Sequence, residues 1–442
     1  MQLKCRFLPQ NDGRCGWYEI LPPPPVSTPL RGEVKADWVV LGAGLAGLAA
    51  ARRLAELQPN AAIAIVDAKR VGFGAAGRNS GFMVDLPHDL NSHNYTGDQS
   101  ADRKLIRLNR GAIAYMREIV QRHAIECDWR ERGKLHGAVE ARGLKALETF
   151  AKGLSVLGEP YRELSARDMQ AITGTDFYRA GMHAPGAVTV QPAALVRGLG
   201  ATLPANVRLY EESPVHKIDV GKPHTLVTNK GQLTSPRLVL ANNAYAGQFS
   251  QLGFSGRLLP MYTYGSLTRP LSAQEQADLG GEESWGLIPA DPMGTTVRRM
   301  RDGRICIRNV FTYNPCVSTS KSRLARVRSV HQRSFKRRFP MLPNVEMEYT
   351  WGGALCLTRN GGVPFGEIAP GVFSAVCQNG LGLTRGTIAG KLIAEYALGI
   401  ESELLDIMLE QPKPAANPPE PFLGLGVRST LAWKEWHAGK EL

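Results

Sequence analysis

The sequence predicts a two-domain α/β protein, and three observations carry that expectation. A chain of 442 residues is too long for one ordinary hydrophobic core. Residues 37–67 read as strand, glycine turn, helix and strand. Later segments alternate helical and strand patterns, including a hairpin, as a mixed or antiparallel sheet requires.

Taken in order, residues 1–36 read as a packed or stiff arm ending in LPPPPVSTPLRG, whose prolines favour an extended linker. DWVVLG is a short apolar run, Ala46 to Gln58 favours helix, and AAIAIVD is a second buried strand. Residues from about 100 to 180 are mixed and mostly helical in pattern, as in RKLIRLNRGAIAYMREIVQRH. QPAALVRGLGATLP opens a helix with Pro192 at its first turn. NVRLYEESPVHKID, TLVTNKGQLT and RLVLANNAY read as strands and a hairpin, and a glycine-rich helix closes the pattern around 380–398.

Composition narrows the class. A hydrophobic fraction of 43% with 21% charge is that of a globular protein. No run of 18 apolar residues is present, and the first twenty residues lack a signal-like apolar stretch, so a cytoplasmic location without a membrane span is expected. The seven cysteines are scattered without CxxC or Cys/His spacing, which suggests reduced thiols and no metal site. Metalloprotease, P-loop and serine-hydrolase signatures are absent.

Gly42, Gly44 and Gly47 form GxGxxG between the first strand and the helix, and Asp67 ends the second strand twenty residues past Gly47. The first glycine permits the tight turn, the second lets backbone approach a pyrophosphate, and the third lets helix and strand pack closely. The helix N-terminus faces the phosphates, and the acid suits ribose hydroxyls. A Rossmann-like dinucleotide-binding domain follows.

A second glycine-rich segment, AKRVGFGAAGRNSGF, comes directly after Asp67, and CQNGLGLTRGTIAGKLIAEYALG places Gly380 and Gly382 before the last long helix. With the SPVHKI strand, LANNAY and FPMLPNVEMEYTWGG, these segments resemble the FAD-dependent D-amino-acid oxidase superfamily, in its glycine oxidase, sarcosine oxidase and γ-glutamylputrescine oxidase branch. The resemblance covers nearly everything after residue 36. It implies an FAD-binding domain from residues 37–95, 185–260 and 350–442, and a discontinuous substrate domain from 96–184 and 261–349.

Carried over, the resemblance places Gly42, Ala43, Gly44, Leu45, Ala46 and Gly47 at the FAD pyrophosphate and Asp67 at the ribose, with Ala68, Lys69 and Ala241 also at the cofactor. Gly74, Ala75, Ala76, Arg78, Asn79 and Ser80 would run toward the flavin ring, and Val215 would meet the adenine. Gly380, Leu381, Gly382, Leu383 and Thr384 would lie along the flavin N1 and C2 edge, where a helix N-terminus stabilises negative charge. Three departures stand out. Ala76 replaces a frequent serine; Cys356 lies too close to Thr358 to match the flavin-linking cysteine, so noncovalent FAD is expected; Thr384 replaces a lysine, which weakens the expectation of fast reaction with oxygen.

The implied activity is oxidation of a C–N bond in a small amine, amino acid or imino acid such as pipecolate, sarcosine or a γ-glutamylated polyamine, by hydride transfer to flavin N5, with oxygen or another acceptor taking the electrons. Candidate substrate contacts are Tyr262, Tyr264, Arg298, Trp351 and His88. Each also fits a plainer role: core tyrosines, a surface arginine, a packing tryptophan, a turn histidine. Residues 298–338 hold thirteen Lys or Arg against Asp302 alone. That fits a solvated helix face on which Leu324, Val327, His331 and Phe335 share the inner side. The alternatives are a flavoprotein acting on tRNA, or a dehydrogenase docking an acceptor protein or anionic membrane surface through this segment. With Phe335 on the inner side, the cationic face of the helical stretch has no aromatic to stack bases, which disfavours nucleic acid.

Overall fold

A computed structural model describes residues 1–10, 14–88 and 96–442. Trp38–Leu41 and Ile63–Val66 are buried at every position, as the continuous apolar runs require of strands covered on both faces. Helix Leu45–Leu57 connects them. Around this unit the sheet order is Val207–Tyr210, Ile63–Val66, Trp38–Leu41, Leu238–Leu240, Val372–Ala375 and Phe365–Ala369, parallel except for the last strand. The order reverses beside Trp38–Leu41, so a crevice opens at that strand's carboxyl end. Helix Thr387–Ala397 packs on Leu45–Leu57 through a shared core that includes Leu48, Ala51, Leu392 and Ile393.

A five-stranded sheet runs Gln2–Lys4, Val215–Asp219, His224–Thr228, Gly231–Ser235 and Gly32–Lys35. The expected arm is thus packed against the fold at both ends. Both ends of residues 1–36 are edge strands, Leu3 is buried, and Trp17 sits fully enclosed against Trp351 at 6.2 Å between ring centroids. Apolar side chains with partners near residues 215–235 and 351 outweigh the local preference for an extended linker. The proline stretch itself has neither helix nor strand.

The large sheet has eight strands in the order Met347–Leu357, Leu259–Thr268, Ile305–Tyr313, Thr296–Arg299, Trp285–Pro289, Lys134–Ala138, Ala180–Ala184 and Arg162–Ser165. Its pairs are antiparallel apart from Trp285–Pro289 with Lys134–Ala138. Strand Met347–Leu357 crosses the position expected to divide residues 349 and 350, and the boundary expected at residue 95 lies outside the described residues. Helix Lys321–Arg338 buries Leu324, Val327, His331 and Phe335, and His331 Nδ1 meets Ser266 Oγ at 2.7 Å. The cationic segment is divided by the fold: Arg298, Arg299 and Arg338 are buried, while most of the helix's cations face solvent. Among the described residues no helix is long and apolar enough to cross a membrane.

Candidate cofactor and substrate site

A long cavity begins at the crevice and ends against the large sheet. At the crevice end, Gly42 adopts φ +109°, and an added Cβ would stand 2.8 Å from Ala241 O. A Cβ on Gly47 would meet Gly42 O at 1.8 Å. Both glycines are therefore demanded by the chain's own backbone. Asp67 accepts the Ala43 N–H at 2.7 Å and the Lys69 N–H at 2.9 Å, one on each carboxylate oxygen. Burial pushes its pKa up to about 6, with the Ala43 and Lys69 N–H groups pulling the other way.

Residues 42–46, 67–69, 74–76 and 78–80 line the cavity, as do Val215, Ala241, Gly380 and Gly382. Gly47, Leu381, Leu383 and Thr384 do not: Gly47 is the helix–strand contact, and the other three side chains are buried in the protein. The second glycine segment is tied to itself. Asn79 Nδ2 donates to Ala76 O at 2.7 Å and its Oδ1 accepts the Gly81 N–H at 2.8 Å. Arg78 fixes the segment to the large sheet, donating to Phe73 O at 2.8 Å and Gly352 O at 3.2 Å.

The far end is walled by Thr263, Tyr264, Gly265, Arg308, Phe311 and residues 353–356, with His88 beside them. Of the five expected substrate contacts, Tyr264 and His88 reach the cavity. The Tyr264 hydroxyl is shared with Thr312 and Thr319 at 2.8 and 3.2 Å. Tyr262 is buried and donates to Val317 O at 2.9 Å. Trp351 donates to Arg78 O at 3.0 Å and packs on Trp17. Arg298 is buried beneath the second glycine segment, donating to Val190 O at 2.7 Å and Ser80 O at 2.9 Å, with Trp17 and Phe82 against its guanidinium. Its Nη1 is bound to backbone carbonyls, and Arg298 is not among the residues that line the cavity. Sequence reasoning missed Arg308, Thr263 and Phe311, the Asn242–Gln248 stretch that contributes Tyr245, and Cys5 to Pro9 of the arm. Arg308 is one of thirteen nearby cations, and only its alternation with buried neighbours in ICIRNVFTY set it apart.

The electrostatics of this end are one-sided. Among the described residues that line the cavity, Asp67 is the one carboxylate, and it belongs to the crevice end. Burial, followed by the charges of Lys134, Arg308 and Arg385, holds His88 neutral by pushing its pKa well below the usual histidine range. Lys134 is itself buried, with no hydrogen-bond partner among the described residues; burial lowers its pKa to about 8 against the pull of Asp85.

Residues 37–396 match the family described as FAD dependent oxidoreductase. The chain belongs to this family. A probable oxidoreductase OrdL from Haemophilus influenzae is 26% identical over 392 residues, covering 85% of this chain and 86% of its own. The gamma-glutamylputrescine oxidoreductase of Escherichia coli K12 is 28% identical over 388 residues, covering 87% and 88%. Glycine oxidase from Geobacillus kaustophilus shares the fold, with TM-score 0.69 at 21% identity over 84% of this chain and 96% of that one. This FAD-dependent oxidoreductase keeps room for its cofactor in a specific way. An added Cβ on Gly74 or Gly382 would meet nothing within 4 Å, and on Gly44 only Ala76 Cβ at 3.9 Å, although all three line the cavity. The fold itself does not need glycine there; a ligand pressed against the backbone does. Buried Asn242 Oδ1, Asn243 Oδ1 and Thr263 Oγ1 lack hydrogen-bond partners among the described residues and line the same space. The residues present fit FAD.

Proposed function

We propose that this oxidoreductase oxidises the C–N bond of a small amine that carries a carboxylate, an amino or imino acid. Bound FAD supplies the hydride acceptor for the carbon next to the amine nitrogen, and the resulting imine is hydrolysed by water. Gly42 to Ala46 cradle the pyrophosphate, Asp67 holds the ribose, Val215 meets the adenine, and the segment from Gly74 to Ser80 leads to the flavin at the large sheet.

The observation that carries the substrate class is Arg308 on the cavity wall beside a neutral His88, with no carboxylate among the described residues that line that end. Arg308 binds the substrate carboxylate by charge-assisted hydrogen bonds. His88 and Thr263 offer neutral polar groups to the amine, and Phe311 and Leu355 exclude water. The named substrate of the Escherichia coli relative, γ-glutamylputrescine, has a carboxylate on its glutamyl part and satisfies this requirement.

FAD is held without a covalent bond. Cys356 lines the cavity, but its interaction with Cys377 and its burial push the thiol pKa well above its usual range, so the nucleophilic thiolate is not available. Anaerobic titration of the yellow protein with pipecolate, sarcosine, proline, D-amino acids and γ-glutamylputrescine tests the proposal. Bleaching of the flavin band by at least one of them supports it; an intact band with all of them overturns it.

A second reading concerns where the electrons go. Helix Lys321–Arg338 carries no acid and exposes Lys321, Arg323, Arg326, Arg328, Arg333, Lys336 and Arg337, a face suited to an acidic acceptor protein. Slow reoxidation of the reduced flavin in air favours that acceptor; rapid peroxide formation favours oxygen.

A further inference from the structure

Residues 1–10 lie before the family match begins at residue 37, yet they reach the cofactor cavity. Strand Gln2–Lys4 pairs antiparallel with Val215–Asp219, in the register Leu3 to Ile218 and Lys4 to Lys217. The Cys5 N–H continues the ladder to His216 O at 2.9 Å, which brings the chain alongside Val215. Beyond Cys5 a side chain replaces the partner strand. The Phe7 N–H donates to Gln248 Oε1 at 3.0 Å, and Gln248 Nε2 donates back to Phe7 O at 3.2 Å. The primary amide thus gives Phe7 the two hydrogen bonds a neighbouring strand would have supplied.

Cys5, Phe7, Leu8 and Pro9 line the cavity together with Val215 and Asp67. Phe7 and Leu8 are each 38% exposed, although the strand just before them is anchored by a buried Leu3. Two large apolar side chains therefore stand partly exposed on a segment that the Gln248 side chain anchors at the Phe7 backbone. They line the same cavity as Val215 and Asp67.

We infer that Cys5 to Pro9 form a strap that completes the adenosine end of the FAD site, with Phe7 and Leu8 covering the purine and Gln248 latching the strap in place. This rests on the proposed placement of the adenosine between Val215 and Asp67. The purine is flat and apolar on its faces, so an aromatic and an aliphatic side chain are a suitable cover. Cofactor exchange then requires the latch to open, whereas the flavin end, built from the large sheet, is untouched by the strap.

Equilibrium binding of FAD and of FMN to the apoprotein, followed by flavin fluorescence, tests this, because FMN has the flavin and one phosphate but no adenosine. Phe7→Ala with Leu8→Ala, which leaves Leu3 and the strand intact, is expected to raise the FAD Kd roughly tenfold, about 1.4 kcal/mol. Gln248→Ala alone, a milder change that keeps the apolar cover, is expected to raise it about threefold and to speed FAD release. Both variants keep wild-type FMN affinity and apoprotein unfolding temperature. An FAD Kd within twofold of wild type in both variants, or equal weakening of FAD and FMN, overturns the strap. Gly44→Val serves as the control for the site. If it loses FAD while the strap variants keep it, only the strap is wrong; if it too keeps FAD, the cofactor placement is wrong.

Discussion

The two ends of the cavity are assembled in opposite ways. The crevice end comes from runs of neighbouring residues, 42–46, 67–69, 74–76 and 78–80, the first two set at the carboxyl ends of parallel strands. The far end comes from single positions on three strands of the large sheet, Thr263, Arg308 and Gly353 among them, with His88 brought in from the second glycine segment's continuation. A nucleotide site can be built from local backbone because phosphate and ribose are bound by N–H groups and one acid. A substrate site needs side chains aimed from several directions, and only the tertiary fold decides which side chains those are.

The comparison is sharpened most by two neighbouring glycines. Gly44→Val is expected to weaken FAD binding on the order of a hundredfold or more, measured by dialysis of the purified protein, while the apoprotein unfolds at its usual temperature. Gly47→Ala, whose Cβ would overlap Gly42 O, is expected instead to destabilise the apoprotein by roughly 1–3 kcal/mol or more. A fully flavinated Gly44→Val protein would break the distinction between ligand-facing and fold-facing glycines.

Two arginines make the same contrast at the far end. Arg308→Ala is expected to raise KM for a carboxylate substrate by roughly 10- to 100-fold, corresponding to about 1.5–3 kcal/mol for a charge-assisted hydrogen bond. Arg298→Ala removes the guanidinium donor from the part-buried Ser80 carbonyl and the buried Val190 carbonyl, so it is expected to lower stability by about 1–3 kcal/mol in denaturant unfolding. Equal effects of both changes on KM would place Arg298 in the substrate site after all.

Asp67 gives a smaller, pH-dependent effect. Its folded-state pKa of about 6 lies above its ordinary 3.8, so in the apoprotein this group favours folding below about pH 4 and loses that contribution as pH rises through 6. Ribose hydroxyls need the ionised acceptor, so FAD affinity is expected to fall as pH drops below 6, by at most about tenfold per unit. Asp67→Asn should flatten that dependence in FAD titrations from pH 7 to pH 5. The smallest effect is at Cys356. Acid precipitation should release all the flavin, and Cys356→Ala should leave flavin content unchanged; flavin that remains with the chain would show a covalent link.

How far the fold was legible follows the same division. The unit from Trp38 to Val66 was readable because strand, turn, helix and acid are contiguous and each is buried as its pattern implies. Tyr262 and Tyr264 share a face by the period of two, but their destination depends on strand Ile305–Tyr313. There the register slips between Thr263 and Tyr264, where Val310 takes φ 61° as an extra residue. That bulge leaves Thr263 opposite Phe311 and Gly265 opposite Arg308, and no local pattern announces it. What the arm packs on is hidden for a related reason: its partner strands lie about two hundred residues away, so a buried Leu3 and Trp17 look like isolated apolar residues ahead of a proline-rich stretch.

The most direct test of the account is to present one amine as its free acid and as its carboxamide, under anaerobic conditions, to the wild-type protein and to Arg308→Ala. The account predicts that the acid reduces wild-type flavin far faster than the carboxamide does, and that this preference disappears in Arg308→Ala. Equal reduction by acid and carboxamide in the wild type, or a preference that survives in Arg308→Ala, would contradict it.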